Sequence, residues 1–585
     1  LDNNRNLILA VLLSALLLFG WDYAMRTFYP EVETPTEAAS AEDVPAERAE
    51  NAIDAGDEVA PAELVDVETA LAGGQRVPID APEIVGSINL VGARIDDIDL
   101  KTHRQSVERD SGPVRLFSPA GTAAQHYARF GWAGDGVATP GAQTVWRVLE
   151  GERLTQDTPV TLVWDNGQGL RFVTRFSIDD RYMLTVAQAV HNGGNGTVAL
   201  RPYGFITRTS LSADPSNFNV HSGPIAANGD GVNFDWDYDE VDEERGASFG
   251  NGTDWVGFTD IYWLSAMIDG GGENAVGSVR PLGSSLYRAE LLYDPVNVAA
   301  GATVGNTTRL FAGAKESSVL SDYQNAGVAG FNNAIDWGWF GIIVWPMWQL
   351  LIFLFGIVGN FGVAIICLTL IIRFLMFPVA QKQFTSMAQM RAVQPKMKAL
   401  QERYKDDRVQ LQQEMAKLYK EEKVNPLAGC LPIFLQIPIF FALYKVLRLA
   451  IEMRHQPFLY VKDLSAPDPA HILNLFGLLD FTPPGFLGIG ILAVLLGVTM
   501  WLQFKLNPAA MDPMQQQIFM LMPWLMMFVM APFAAGLLIY WITSNILTLA
   551  QQWFLYSRNP QLKAQMLKEK EEKAREAQRA KAEAG

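Results

Sequence analysis

The chain has 585 residues, 49% hydrophobic and 19% charged, and its 46 basic and 63 acidic side chains leave a formal net charge of −17. That balance excludes a general nucleic-acid binder, which needs a basic surface to displace counterions, so no direct DNA binding is expected. The two cysteines, Cys367 and Cys430, sit in apolar runs and the six histidines are scattered; no disulfide framework, metal or cofactor is expected.

Residues 6–25 read N-L-I-L-A-V-L-L-S-A-L-L-L-F-G-W-D-Y-A-M. The apolar part is as short as a signal-peptide core, but no A-x-A-like cleavage site follows it. Trp21 and Tyr23 follow instead, residue types that settle at a membrane boundary. An uncleaved transmembrane signal anchor is expected. Residues 31–74 are acidic and rich in Ala and Pro, which predicts a disordered linker.

From 75 to 313 the pattern changes to period-two alternation, as in V-T-L-V-W at 160–164, L-R-F-V-T-R-F-S-I at 170–178 and Y-M-L-T-V-A-Q-A-V at 182–190. Asn-Gly pairs at 166–167, 192–193 and 195–196 punctuate it. A large, water-facing antiparallel β-sandwich follows. Residues 314–358 read as a linker, helical over 314–334, and then an interfacial amphipathic helix. The dense tryptophans Trp337, Trp339, Trp345 and Trp348 suit the membrane interface. A true span is the alternative for 337–355.

After Gly359 the chain belongs to the bilayer. Five apolar segments, 360–379, 427–449, 486–506, 518–530 and 536–556, contain no Asp or Glu. With the anchor they make six transmembrane helices. The intervening segment 381–424 is basic on balance, as is the tail 557–585, whereas 450–485 carries only Arg454 and Lys462 as cations. The positive-inside rule puts both termini and 381–424 in the cytoplasm and the β domain and 450–485 outside, which is the periplasm in a two-membrane bacterium. The fold class is therefore a polytopic α-helical inner-membrane protein with a large periplasmic β-sandwich domain and a cytoplasmic helical hairpin. In that hairpin Met387, Met390, Val393, Met397 and Leu400 form one stripe, and Leu411, Met415 and Leu418 another. Hairpin packing and a pliant surface for apolar clients both fit.

Arg373 stands in C-L-T-L-I-I-R-F-L-M-F-P. A guanidinium near a helix centre costs about 2.5–3.5 kcal/mol on insertion scales. Placed six residues before Val379, about 9 Å of helical rise, it either snorkels to the inner boundary or faces a wet cavity. Thr369 lies on its face of the helix. Gln436 is mid-segment; Trp541, Asn545, Thr548 and Gln552 line one stripe of the last segment, and Tyr540 and Ser544 its neighbour. Such residues either bond helix to helix or line a hydrophilic groove. The absence of intramembrane carboxylates argues against an ion-coupled transporter and against acid–base catalysis, and no catalytic residue is expected. Segment 518–530 rises only about 20 Å against a core of about 30 Å, which favours local thinning of the bilayer.

Three runs carry a resemblance: V-N-P-L-A-G-C-L-P-I-F-L-Q-I-P-I-F-F-A-L-Y at 424–444, D-P-M-Q-Q-Q-I-F-M-L-M-P at 512–523 and G-L-L-I-Y-W-I-T-S-N-I-L-T at 536–548. Together with Arg373, they resemble the Oxa/YidC family of membrane protein insertases. The order of anchor, β domain and five-span core resembles its bacterial type over essentially the whole chain. The resemblance implies an insertase and chaperone, not an enzyme, for nascent inner-membrane proteins, acting alone or beside the Sec translocon and with a monomer as its unit. It implies a groove open to cytoplasm and lipid, in which Arg373 attracts acidic client segments and Gln436, Ile437, Tyr540 and Trp541 touch clients. Hairpin and tail would meet ribosome, nascent chain or a targeting receptor. The β domain resembles sugar-epimerase-like sandwiches without a catalytic set. A small-solute transporter using the polar groove, and an envelope scaffold whose β domain binds glycan, are the competing readings.

Overall fold

The structure, a computed structural model, describes residues 64–558 except 109, 213–219, 272–273, 284, 339–340, 406, 423–430, 477, 480–487 and 507–512. The expected anchor at 6–25, most of the acidic linker and the basic tail lie outside the described residues. The chain divides into two compact units, 1–105 with 112–334 and 106–111 with 335–585.

The first unit is built from two antiparallel sheets. A ten-stranded sheet runs from the edge strand Arg76–Asp80 through Arg94–Arg104, His126–Ala133, Val198–Thr209 and Leu286–Tyr293 to Ala247–Asn251. A nine-stranded sheet runs from Gly231–Asn233 through Trp255–Thr259, Trp263–Asp269, Thr303–Ala314 and Met183–Asn192 to Arg147–Glu150. The alternation at 170–178 is read directly: Leu170, Phe172, Phe176 and Ile178 are buried while Arg171 and Arg175 face out. Asn166 makes the preceding turn, its side-chain oxygen accepting from the N–H groups of Gln168 at 2.8 Å and Leu170 at 3.0 Å, with Gly167 at φ +72°.

Six residues of the expected disordered linker are instead helical. In α1 (Val67–Ala72), Asp66 caps the first turn by accepting from the Thr69 N–H at 2.9 Å. A capping box between Asp237 and Glu240 starts α2 (Tyr238–Glu244). The expected linking helix at 314–334 is α3 (Ser317–Asn325) followed by a 3₁₀ turn at Phe331–Ala334. Its Val319, Leu320, Phe331 and Ala334 are buried, so this stretch belongs to the β unit.

The second unit is helical: α4 (Gly341–Val358), α5 (Phe361–Leu375), α6 (Phe377–Arg403), α7 (Arg408–Glu421), α8 (Leu431–Leu449), α9 (Ile491–Leu506), α10 (Pro513–Met530) and α11 (Ala535–Arg558). One apolar core joins Trp348 and Leu351 of α4, Ile365 and Leu368 of α5, Leu443 and Val446 of α8, Leu496 of α9 and Leu538 of α11. The amphipathy expected of α4 is absent: behind its buried face, Ile342, Trp345, Phe353 and Ile357 are exposed and apolar too. Among the described residues it is long and apolar enough by itself to cross a membrane, which favours the spanning alternative for this segment. Lys445, buried in α8, donates to the Asp336 carbonyl and carboxylate, both at 3.0 Å. A cation inside an apolar helix thus has its counter-charge just ahead of α4; losing one partner of such a pair costs about 3–5 kcal/mol.

Two expected lengths change. The segment predicted at 360–379 ends as a helix at Leu375, where the chain bends by 59° into α6. Pro378, without an N–H, stands in the first turn of the new helix. The helix predicted over 518–530 starts at Pro513 and has 18 residues, but the added turn carries Gln515, Gln516 and Gln517, and the apolar part is Met520–Met530. The hairpin is α6 against α7, its first arm longer than predicted and continuous through Pro395.

His126 of the ten-stranded sheet lies within 2.9 Å of the Ser265 hydroxyl of the nine-stranded sheet. Burial, and then the charge of Arg208, hold its pKa well below the ordinary 6.5. Below about pH 6.5 the unfolded chain takes up a proton that the folded one refuses, so stability is lost as pH falls, by about 1.4 kcal/mol per pH unit until the folded pKa is reached. The thermal midpoint of the β unit, followed in the full chain by its tryptophan fluorescence, is expected to drop between about pH 7.5 and 5.5. His126→Gln is expected to blunt that drop.

Candidate functional site

The polar residues of the helical unit converge on α11. In that helix Tyr540 and Ser544 are four residues apart and share a face. Tyr540, Ser544 and Asn545 are buried although they lie in an apolar run. Burying hydroxyl and amide groups is tolerable only with hydrogen-bond partners, and three neighbouring helices supply them.

The first partner is Arg373 of α5. Its Nε donates to Ser544 Oγ at 2.9 Å, and Nη2 donates to the same oxygen. The side chain is half-buried and crosses to α11 instead of extending along its own helix. Among the described residues, no carboxylate lies within ion-pair distance of it. The predicted depth needs correction. Because α5 ends at Leu375, Arg373 sits in its last turn, two residues or about 3 Å from the helix end rather than about 9 Å. There the unpaired carbonyls of the helix C-terminus favour a cation.

The second partner is Gln436 of α8, whose Nε2 donates to Tyr540 Oη at 2.7 Å. Ile437 beside it is exposed, and Trp541 is half-buried with its ring 5.2 Å from that of Phe440. The third partner is Thr499 of α9, which sequence reasoning missed. Its hydroxyl accepts from Asn545 Nδ2 at 3.1 Å. A threonine mid-way in an apolar segment was the available signal, but its own-helix bond to Leu496 O, at 2.9 Å, is the usual fate of such a hydroxyl.

Arg373, Ser544, Tyr540 and Gln436 therefore form one seam between α5, α8 and α11, while Asn545 turns toward α9. Thr369 is not part of it. It is fully buried and its hydroxyl donates to Ile365 O at 2.7 Å, within its own helix. Thr548 likewise donates to Ser544 O at 2.8 Å. Gln552 is buried, and among the described residues its Oε1 has no hydrogen-bond partner. The stripe predicted from Trp541 to Gln552 thus serves several helix contacts instead of one surface.

In the hairpin, Met397 is buried with Val393 and Leu418, and Met415 packs against that cluster with Leu400 and Tyr419. Hairpin packing accounts for these two methionines, so they do not present an open client surface. The side chains of Met387 and Met390 lie outside the described residues.

Residues 353–563 match the family model described as 60Kd inner membrane protein, and residues 76–350 match the YidC periplasmic domain. The membrane protein insertase YidC of Zymomonas mobilis is 43% identical over 560 residues, covering 95% of each chain. That of Bradyrhizobium diazoefficiens is 42% identical over 600 residues, covering 96% of this chain and 97% of its own. A crystal structure of an active YidC insertase with its first transmembrane domain resolved superposes with a TM-score of 0.36 at 18% identity, covering 84% of this chain and 94% of that one.

The Gln436–Tyr540 bond is testable by a double-mutant cycle. Gln436→Leu and Tyr540→Phe, alone and combined, are expected to show a coupling of about 0.6–1.7 kcal/mol in the denaturation of the detergent-solubilised chain, the range seen for bonds between membrane helices.

Proposed function

The chain belongs to the YidC family of membrane protein insertases, and on that premise we propose that it inserts client segments through a hydrophilic seam centred on Arg373. Membership makes it an inner-membrane insertase with a periplasmic domain, acting on membrane protein substrates. The seam, its residues and its further partners are the proposal.

One observation supports this reading above the others: a guanidinium held by a serine hydroxyl, with no carboxylate within ion-pair distance among the described residues. A carboxylate would cancel the charge; a hydroxyl leaves it available. A client carboxylate brought to the bilayer centre costs about 2.5–3.5 kcal/mol. At an effective dielectric of about 20, a positive charge about 4–6 Å away attracts it by a similar amount. One arginine thus offsets roughly one acidic residue of a passing segment. Tyr540, Gln436 and Ser544 supply hydroxyl and amide groups that exchange partners with a polar backbone, while exposed Ile437 and half-buried Trp541 offer apolar contact to the client's own span.

The orientation follows the charge of the connecting segments. Both termini and the α6–α7 hairpin are cytoplasmic, and Arg373, in the last turn of α5 beside that hairpin, lies toward the cytoplasmic side. A nascent chain then meets the hairpin and basic tail first, together with the ribosome or a targeting receptor, and enters the seam from the cytoplasm with the monomer as the working unit. Joint action with the Sec translocon belongs to the same proposal.

In proteoliposomes, Arg373→Ala is expected to impair clients with acidic translocated segments most, and Arg373→Lys to restore part of the loss, since charge rather than fork geometry is required. Equal insertion of every client by the Ala variant would remove the electrostatic role.

A further inference from the structure

The connection between α8 and α9 has two parts. The first is tied down. Ile451, Met453, Val461 and Leu464 are buried, and the buried Asp468 carboxylate accepts from the N–H groups of Ala470 at 3.0 Å and Leu492 at 2.8 Å and from Tyr460 Oη at 3.0 Å. The second part is a lobe described over 472–476 and 478–479. At its start the Ile472 N–H donates to Ile489 O at 3.0 Å and His471 bridges to Gly490. The lobe therefore leaves the fold beside the residues that precede α9.

Its composition is unlike that of a water-facing loop. Residues 472–489 read I-L-N-L-F-G-L-L-D-F-T-P-P-G-F-L-G-I, with Asp480 the one charged residue. Ile472, Leu473, Leu475, Phe476, Leu478 and Leu479 are 43–83% exposed, whereas Asn474, the polar residue among them, is buried. This is the inverse of the usual loop arrangement. Leu475 and Phe476 have φ of +50° and +63°, a region that bulky side chains enter only when the surroundings hold them there.

We propose that the 472–479 lobe is seated in the headgroup–acyl boundary of the leaflet in which α9 begins, about 5–10 Å deep, as interfacial segments are. The inference rests on reading the helical unit as membrane-spanning. Two features select lipid over a protein partner. The exposed apolar residues stand shortly before α9, whose Leu495, Val498 and Leu502 are exposed and apolar as well. Residues 472–479 also hold no charged side chain with which a protein partner could form an ion pair. Seated there, it holds the first turn of α9, and with it Thr499 and Asn545, at a set depth.

The test uses the full chain with Cys367→Ser and Cys430→Ser, reconstituted in phosphatidylethanolamine–phosphatidylglycerol vesicles. Nitroxide is attached through Leu473→Cys or Leu478→Cys in the lobe, Val498→Cys on α9, or Lys462→Cys in the tied-down part. Lobe labels are expected to collide with oxygen several-fold more, relative to a water-soluble nickel chelate, than the label at position 462 does. If they behave like that label while position 498 remains lipid-like, the lobe is in water and the proposal falls with the spanning reading intact. If neither reagent reaches the lobe labels, protein covers the lobe and the proposal also falls. If position 498 is itself water-like, the spanning reading fails and takes the proposal with it.

Discussion

A guanidinium placed among apolar helices keeps its charge only if something replaces the water it has lost. Arg373 meets that constraint with no counter-ion among the described residues, through the Ser544 hydroxyl and the carbonyl end of α5. Lys445 meets it differently, by pairing with Asp336. The contrast separates the two cations. The lysine is neutralised and holds α4 onto the core, while the arginine stays a source of positive field. The polar residues of α11 follow from this choice, because a hydroxyl that serves a charge needs a helix face able to carry hydroxyls.

The β unit solves a different problem. Its sheets bury polar groups as well as apolar ones, among them Arg208 bonded to Asp260 at 2.7 Å and Lys315 bonded to Thr259 at 2.9 Å. These are satisfied internal bonds of the kind a large sandwich needs where strand ends and loops enter its interior. Beside them, His126 gives that unit a dependence on pH.

Much of this was legible in advance because it is written in short periods. Residues 170–178 alternate in sequence and in burial alike. Arg373 announced itself as a charge in an apolar run, and Tyr540 and Ser544 as one helical face. What was hidden is of two kinds. Pairings across long stretches of chain, such as Lys445 with Asp336 or Asn545 with Thr499, leave no local trace. The end of α5 was visible only as Phe377-Pro378 and was masked by the apolarity of Leu375, Met376 and Phe377, so that hydropathy extended a helix which backbone geometry stops. The outward-facing apolar lobe at 472–479 was passed over because a segment between spans is expected to be polar.

The bend between α5 and α6 has a mechanical consequence. Arg373 lies four residues from Phe377, about 6 Å along the axis, while the far end of α6 at Arg403 lies about 39 Å away. Because the guanidinium lies on the α5 side of that joint, a rotation of α6 about it would carry the hairpin tip while leaving the Arg373–Ser544 bond where α5 and α11 hold it.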